Sequence, residues 1–98
     1  MAIHFSKKEF ENSISFIKID AEGHEIEIIK GAIKTINKNK PILLVEIEKR
    51  HSKKKVIDSI NFINSLGYKS YYFNEKELIN TAILTNFDTY NNFIFKPI

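Results

Sequence analysis

Three side chains able to hold or move a proton alternate through Asp20, Glu22 and His24, and a fourth, Glu46, closes a later apolar run. A carboxylate at the end of such a run can orient a hydroxyl group or take its proton, and an imidazole beside it titrates near neutral pH. Oxygen and imidazole groups at that alternating spacing would also suit a divalent cation, with Glu46 or His51 completing its shell. Each residue has a plainer use as well. Asp20 stands where a side chain can cap a following helix, and Glu22 favours a helix start through the macrodipole alone. A first-turn histidine such as His24 is commonly just exposed, and Glu46 can hydrogen-bond a neighbouring backbone group. His51 sits among Lys49, Arg50 and Lys53 to Lys55, a basic loop that reads first as solvated surface and second as a contact for a phosphate or an acidic saccharide.

The elements that must place these groups follow from hydrophobic period. Ile14 to Asp20 reads as a strand, with Ile14 and Phe16 on one face and Ile17 and Ile19 on the other. Strands apolar on both faces belong to parallel sheets covered by helices above and below. Ala21 to Gly23 make a turn, and from His24 or Glu25 to Ile36 or Asn37 the period becomes helical, with Ile26, Ile29, Ile33 and Ile36 in one stripe. Gly31 inside that helix costs about 1 kcal/mol against alanine, which points to close approach of helix to sheet. The run Asn37 to Pro41 ends the helix, and Ile42 to Ile47 is a second strand covered on both faces, with Glu46 analogous to Asp20. After the charged loop Glu48 to Lys55, with Ser52 as N-cap, a second helix carries Val56, Ile57, Ile60, Ile63 and Leu66 and stops at Gly67. Tyr68 to Phe73 is a third strand rich in aromatics. Asn74 to Tyr90 is a polar loop with a turn near Glu75 to Leu78, and Asn92 to Lys96 is the last strand. Residues 1–13 read either as a short helix capped by Ser6 or as the remnant of a connection, so residues 1–98 read as a single partial domain with 1–13 as its lead-in and 14–98 as the patterned region.

The words themselves carry a likeness. Lys18-Ile19-Asp20-Ala21-Glu22-Gly23-His24-Glu25, then Lys30-Gly31-Ala32, then Pro41-Ile42-Leu43-Leu44-Val45-Glu46-Ile47 resemble the FkbM family of S-adenosylmethionine-dependent methyltransferases, from about Phe16 to the chain's end. Ala21 stands where that family usually has valine. The resemblance implies an α/β fold of the class I, Rossmann-like methyltransferase kind, of which this chain corresponds to the C-terminal half. Its order would be β-α-β-α-β-loop-β, a mostly parallel sheet with the last strand inserted antiparallel between its two predecessors. Right-handed crossovers put both helices on one face, so the other face and the outer edge of the first strand are left bare.

The resemblance further implies transfer of a methyl group from S-adenosylmethionine to a hydroxyl of a small-molecule or saccharide acceptor, with Asp20, Glu22, His24 and Glu46 lining the acceptor side. The glycine-rich turn and the ribose-binding acid that hold the cofactor in such folds have no counterpart, since Gly23, Gly31 and Gly67 stand far apart. The chain alone is therefore expected to be inactive and to need an N-terminal half as partner. The alternative is a non-catalytic module that associates with itself or with another protein through the uncovered sheet.

Composition narrows the remaining classes. A chain of 98 residues, 43% hydrophobic and 28% charged, suits one soluble globular domain. Its net charge of +3 comes from scattered lysines rather than a block, which gives nucleic-acid binding no special support. With no cysteine, thiolate metal sites, disulfides and cysteine nucleophiles are excluded. No nucleophile elbow or phosphate-cradling loop is present. No run approaches membrane-spanning length and no secretory apolar region follows Met1, so a cytoplasmic setting is expected.

Overall fold

The computed structural model describes residues 2–8, 13–20, 23–48 and 56–98. Strands β1 (Ala2–Lys8) and β2 (Ser13–Asp20) are followed by helices α1 (Glu25–Gly31) and α2 (Ile33–Asn39). Then come β3 (Ile42–Glu46), α3 (Val56–Asn64), β4 (Tyr68–Phe73), the short β5 (Leu78–Asn80) and β6 (Asn92–Pro97). The six strands form one sheet in the order β1-β2-β3-β6-β4-β5. β6 inserts between β3 and β4, antiparallel to both, as the resemblance implies.

Several expectations change. The N-terminal residues form neither a helix nor a loose connection: Ala2–Lys8 pairs antiparallel with β2, from Ala2 opposite Asp20 to Lys8 opposite Ser13. The outer edge of β2 is thus covered, which meets the need of a central strand for backbone partners on both sides. The sheet is mixed rather than mostly parallel, because only β2 and β3 pair parallel among the described strands. The single helix expected after Gly23 is two, broken at Ala32, whose N–H is shared between the carbonyls of Ile28 and Ile29. Gly31 sits at that break on the exposed side, and a Cβ added there meets nothing within 4 Å. It serves no close approach to the sheet.

Helices this short are unstable alone, so packing holds them. Ile26, Ile29 and Ile36 from α1 and α2, and Val56, Ile60 and Ile63 from α3, join Ile17, Ile19, Leu43, Val45, Phe93, Phe95, Tyr68 and Tyr72 of the sheet in one buried cluster. Full burial of each such side chain contributes roughly 1.5–3 kcal/mol. All three helices therefore lie on one face of the sheet.

The lower end of this layer is tied by polar contacts. The Tyr68 hydroxyl donates to the Pro41 carbonyl at 2.7 Å, linking the start of β4 to the start of β3. Lys40, at φ 46°, donates through Nζ to the Leu66 carbonyl and lies 5.6 Å from the centre of the Tyr68 ring. Gly67 ends the α3 connection at φ 95°, a conformation that favours glycine. The loop after β4 turns at Asn74–Glu77, where the Asn74 N–H bonds the Glu77 carbonyl. It then forms β5 and 3₁₀ turns at Thr81–Ile83 and Phe87–Thr89 rather than staying irregular.

Candidate active site

β2 and β3 run in register from Phe16 beside Ile42 to Asp20 beside Glu46. Both strands end on their acids at the same level, and side chains of register neighbours in a parallel pair share a face, with the strands about 4.8 Å apart. Asp20 and Glu46 are half-buried on the side away from the helices. The Ile47 N–H still bonds the Asn91 carbonyl at 2.7 Å and Ile47 is fully buried. The pleat therefore continues one residue further, returning Glu48 to the same side as Glu46.

The result is a trio of carboxyl groups at the sheet's carboxyl-end rim. The Glu46 carboxyl is pushed above its ordinary range, first by a hydrogen bond with Glu48, then by partial burial, then by the negative charge of Asp20. A protonated Glu46 donates to the Glu48 carboxylate, and Asp20 is also within its hydrogen-bonding reach. Such a pair of interacting acids holds one proton more tightly than either would alone.

Of the four residues expected in the site, the structure brings Asp20 and Glu46 together. His24 stands at the N-cap position of α1, exposed, and its side chain makes no capping bond. Glu22 and the basic loop residue His51 lie outside the described residues, as does the Ser52 cap. Among the described residues no group of three or more His, Asp or Glu side chains is arranged to hold a metal ion.

Two acids escaped the sequence reading. Glu48 was assigned to a loop, although its spacing of two from Glu46 across an apolar residue is the strand period. Glu25 stands early in the helix, where the macrodipole alone favours an acid, yet it is 1% exposed, and its Oε2 has no hydrogen-bond partner among the described residues. Its spacing of four from Ile29 is the signal that it faces inward. Burying a carboxyl oxygen without a partner is costly, which sets Glu25 apart from the exposed Glu27 of α1.

No helix among the described residues is long and apolar enough to cross a membrane. The family model described as Methyltransferase FkbM domain matches residues 2–70. The match thus starts earlier than the words at Phe16, taking in β1, and ends within β4. No curated protein matches the chain, and no solved structure matches it.

Proposed function

Because the chain belongs to the FkbM methyltransferase domain family, we propose that it forms the acceptor-binding side of an enzyme that methylates a hydroxyl group, with S-adenosylmethionine as the donor. The observation that supports this reading is the side-by-side placement of Asp20 and Glu46, with Glu48 behind, at the carboxyl ends of the parallel pair. Ligands of open α/β sheets sit beyond that edge.

In this reading the ionised Asp20 accepts a hydrogen bond from the acceptor hydroxyl and takes its proton as the oxygen becomes a nucleophile. Glu46, sharing its own proton with Glu48, keeps a second negative charge from forming beside Asp20 until the pH exceeds its raised range. Glu22 and His24 flank the acceptor on the turn into α1.

The described residues do not fit the methyl donor. Gly23 makes a single turn at φ 95°, Gly31 faces open space and Gly67 is packed beside Lys40, so they form no glycine-rich cradle. The apolar Phe16, Ile42, Leu44 and Ile94 on the helix-free face support a further layer there, from a preceding half of the enzyme or from another chain. That layer would also carry the donor site.

The test is transfer of radiolabelled methyl from S-adenosylmethionine to a panel of hydroxylated small molecules and saccharides, with the chain alone and with a candidate N-terminal half. Activity that needs both parts and drops at least about 100-fold in Asp20→Asn is expected. Full activity in that variant would remove Asp20 from its role.

A second reading, a binding module that associates through its sheet, draws on the exposure of Ile42 and Phe73, 38% and 53%. Light scattering across a concentration series separates the two, since a strict monomer excludes self-association.

A further inference from the structure

The rim does not end at Glu46. β6 is antiparallel to both β3 and β4, so β4 runs in the same direction as β2 and β3 and finishes on the same edge of the sheet. Glu46 lies opposite Asn92 on β6, and one residue past the Tyr72–Phe93 pair Phe73 comes level with Asn92. Asp20, Glu46, Asn92 and Phe73 therefore follow one another along a single row. Three strand spacings, about 14 Å, separate its ends.

All four residues face the helix-free side. Tyr72 and Phe93 are buried toward the helices, so strand alternation turns Phe73 and Asn92 the other way, where both are exposed. Phe73 keeps 53% of its surface exposed even though Leu78 stands opposite it across β5. The turn that follows fixes its backbone: the Asn74 N–H bonds the Glu77 carbonyl at 3.1 Å, and the Lys76 N–H bonds the Asn74 carbonyl at 2.8 Å. A phenyl ring carried on a paired strand is a more precise platform than one carried on a loop.

The chemistry changes along the row. Carboxyl groups at one end accept hydrogen bonds, the Asn92 amide in the middle both donates and accepts, and the Phe73 ring at the far end offers a flat apolar face. Sugar rings match that sequence. Their hydroxyls project around the edge for carboxylate and amide partners, while the C–H groups of one ring face pack against an aromatic face. A row of about 14 Å is longer than one sugar ring, so a molecule that touches both ends carries at least two. The carboxyl groups disfavour an acidic sugar by repulsion of like charge.

Building on the reading of this rim as the acceptor side, we propose that Phe73 and Asn92 form a second acceptor subsite selecting a neutral glycan of two or more rings. One ring stacks on Phe73 while another presents its hydroxyl to Asp20.

Titration of the ¹⁵N-labelled chain with cellobiose, maltose, glucose, sorbitol and benzyl alcohol tests the subsite by chemical-shift mapping, without the methyl donor. At least one of the two disaccharides is expected to give saturable shifts at Glu46, Asn92 and Phe73, with glucose, ring-free sorbitol and benzyl alcohol each binding more weakly. Phe73→Ala should weaken the disaccharide at least about fivefold, the worth of one stacked ring, and Phe73→Tyr should keep its binding. Asn92→Ala should weaken it about threefold, the worth of one neutral hydrogen bond. Both positions are exposed, and the same spectra report whether each variant is folded. Absence of saturable shifts with both disaccharides, sorbitol or benzyl alcohol binding as tightly, or binding untouched by Phe73→Ala would each overturn the proposal. So would shifts at this row that depend on protein concentration alone and vanish in Phe73→Ala, which would make the ring a contact between copies. Methyl transfer to a ring-free acceptor with no disaccharide bound would sink the subsite alone, whereas disaccharide binding without any methyl transfer by the assembled enzyme would sink the transfer reading alone.

Discussion

Strand β6 presents two environments one residue apart. Phe93 and Phe95 point toward the helices and are fully buried, whereas Ile94 is half-buried and Lys96 exposed on the opposite side. The same division runs through the neighbouring strands: Leu43 and Val45 against Ile42, Leu44 and Glu46, and Tyr68, Ser70 and Tyr72 against Lys69, Tyr71 and Phe73. One face holds the fold together. The other holds the acids, and on it Lys96 Nζ, 5.3 Å from the Tyr71 ring centre, takes the place a packing helix would fill. The packed core and the acids thus lie on opposite sides of one sheet, and a substitution's cost depends on which side it faces.

Paired truncations on β6 test that division most severely. Phe95→Ala should cost about 3–5 kcal/mol, the loss for a large aromatic in a closed core, and Ile94→Ala about 1 kcal/mol, typical of a half-exposed position. Urea unfolding midpoints report the difference. Equal losses would mean that the second face is enclosed in solution, and a dilution series would then reveal whether another copy encloses it.

This contrast explains what was legible beforehand. Strands β2, β3, β4 and β6 announce themselves through apolar runs, and the buried stripe Ile26, Ile29, Ile36 shows the helical period. Those signals arise from burial, which the residue pattern records directly. β1 was missed because Ala2–Lys8 carries a mixed pattern whose place is set by pairing with β2, and pairing is written in the partner's backbone. The break at Ala32 is a choice among nearly equal hydrogen-bond arrangements. Asp20 and Glu46 were visible as polar ends of apolar strands, but their alignment depends on the β2–β3 register. Glu48 needed knowledge that the chain stays extended past the end of β3 at Glu46, and Glu25 hid because acids early in helices usually face water.

The ties at the lower end of the covered face come next in size. Tyr68→Phe removes the bond to the Pro41 carbonyl and should cost about 1 kcal/mol. Burial also pushes the Tyr68 phenol up to about 12. The native state then keeps a proton that the unfolded chain releases near pH 10, so wild-type stability falls as the pH rises from about 10 toward 12. The Phe variant should lose that part of the alkaline fall.

The helical layer has an inside and an outside, and its glycines separate them. Gly67→Ala should lower stability by about 1 kcal/mol, since φ is 95° and the new Cβ would lie 3.0 Å from Lys40 Nζ. Gly31→Ala should raise it by roughly 0.4–1 kcal/mol, because the site is open and alanine narrows the unfolded ensemble. Thermal midpoints for the two variants moving in opposite directions would support this. A loss at Gly31 would mean something covers the outer surface of α1.

The smallest effect lies on the face that carries the acids. Glu46 is raised above its ordinary value of 4.5 by Glu48, partial burial and Asp20, so between that value and the raised one the native chain binds more protons than the unfolded one. The contribution is fully present below pH 4.5 and disappears as the pH climbs through the raised value. Glu46→Gln keeps a donor toward Glu48 but does not titrate. It should therefore gain on the wild type as the pH rises toward 7, by well under about 1 kcal/mol because the group is partly solvated, and added salt should shrink the gain. A ¹³C titration of the Glu46 carboxyl extends the same test. If a further protein layer closes over Asp20 and Glu46 in the working enzyme, added desolvation must move the Glu46 midpoint higher still when the partner binds, whereas a partner that docks elsewhere leaves it unmoved.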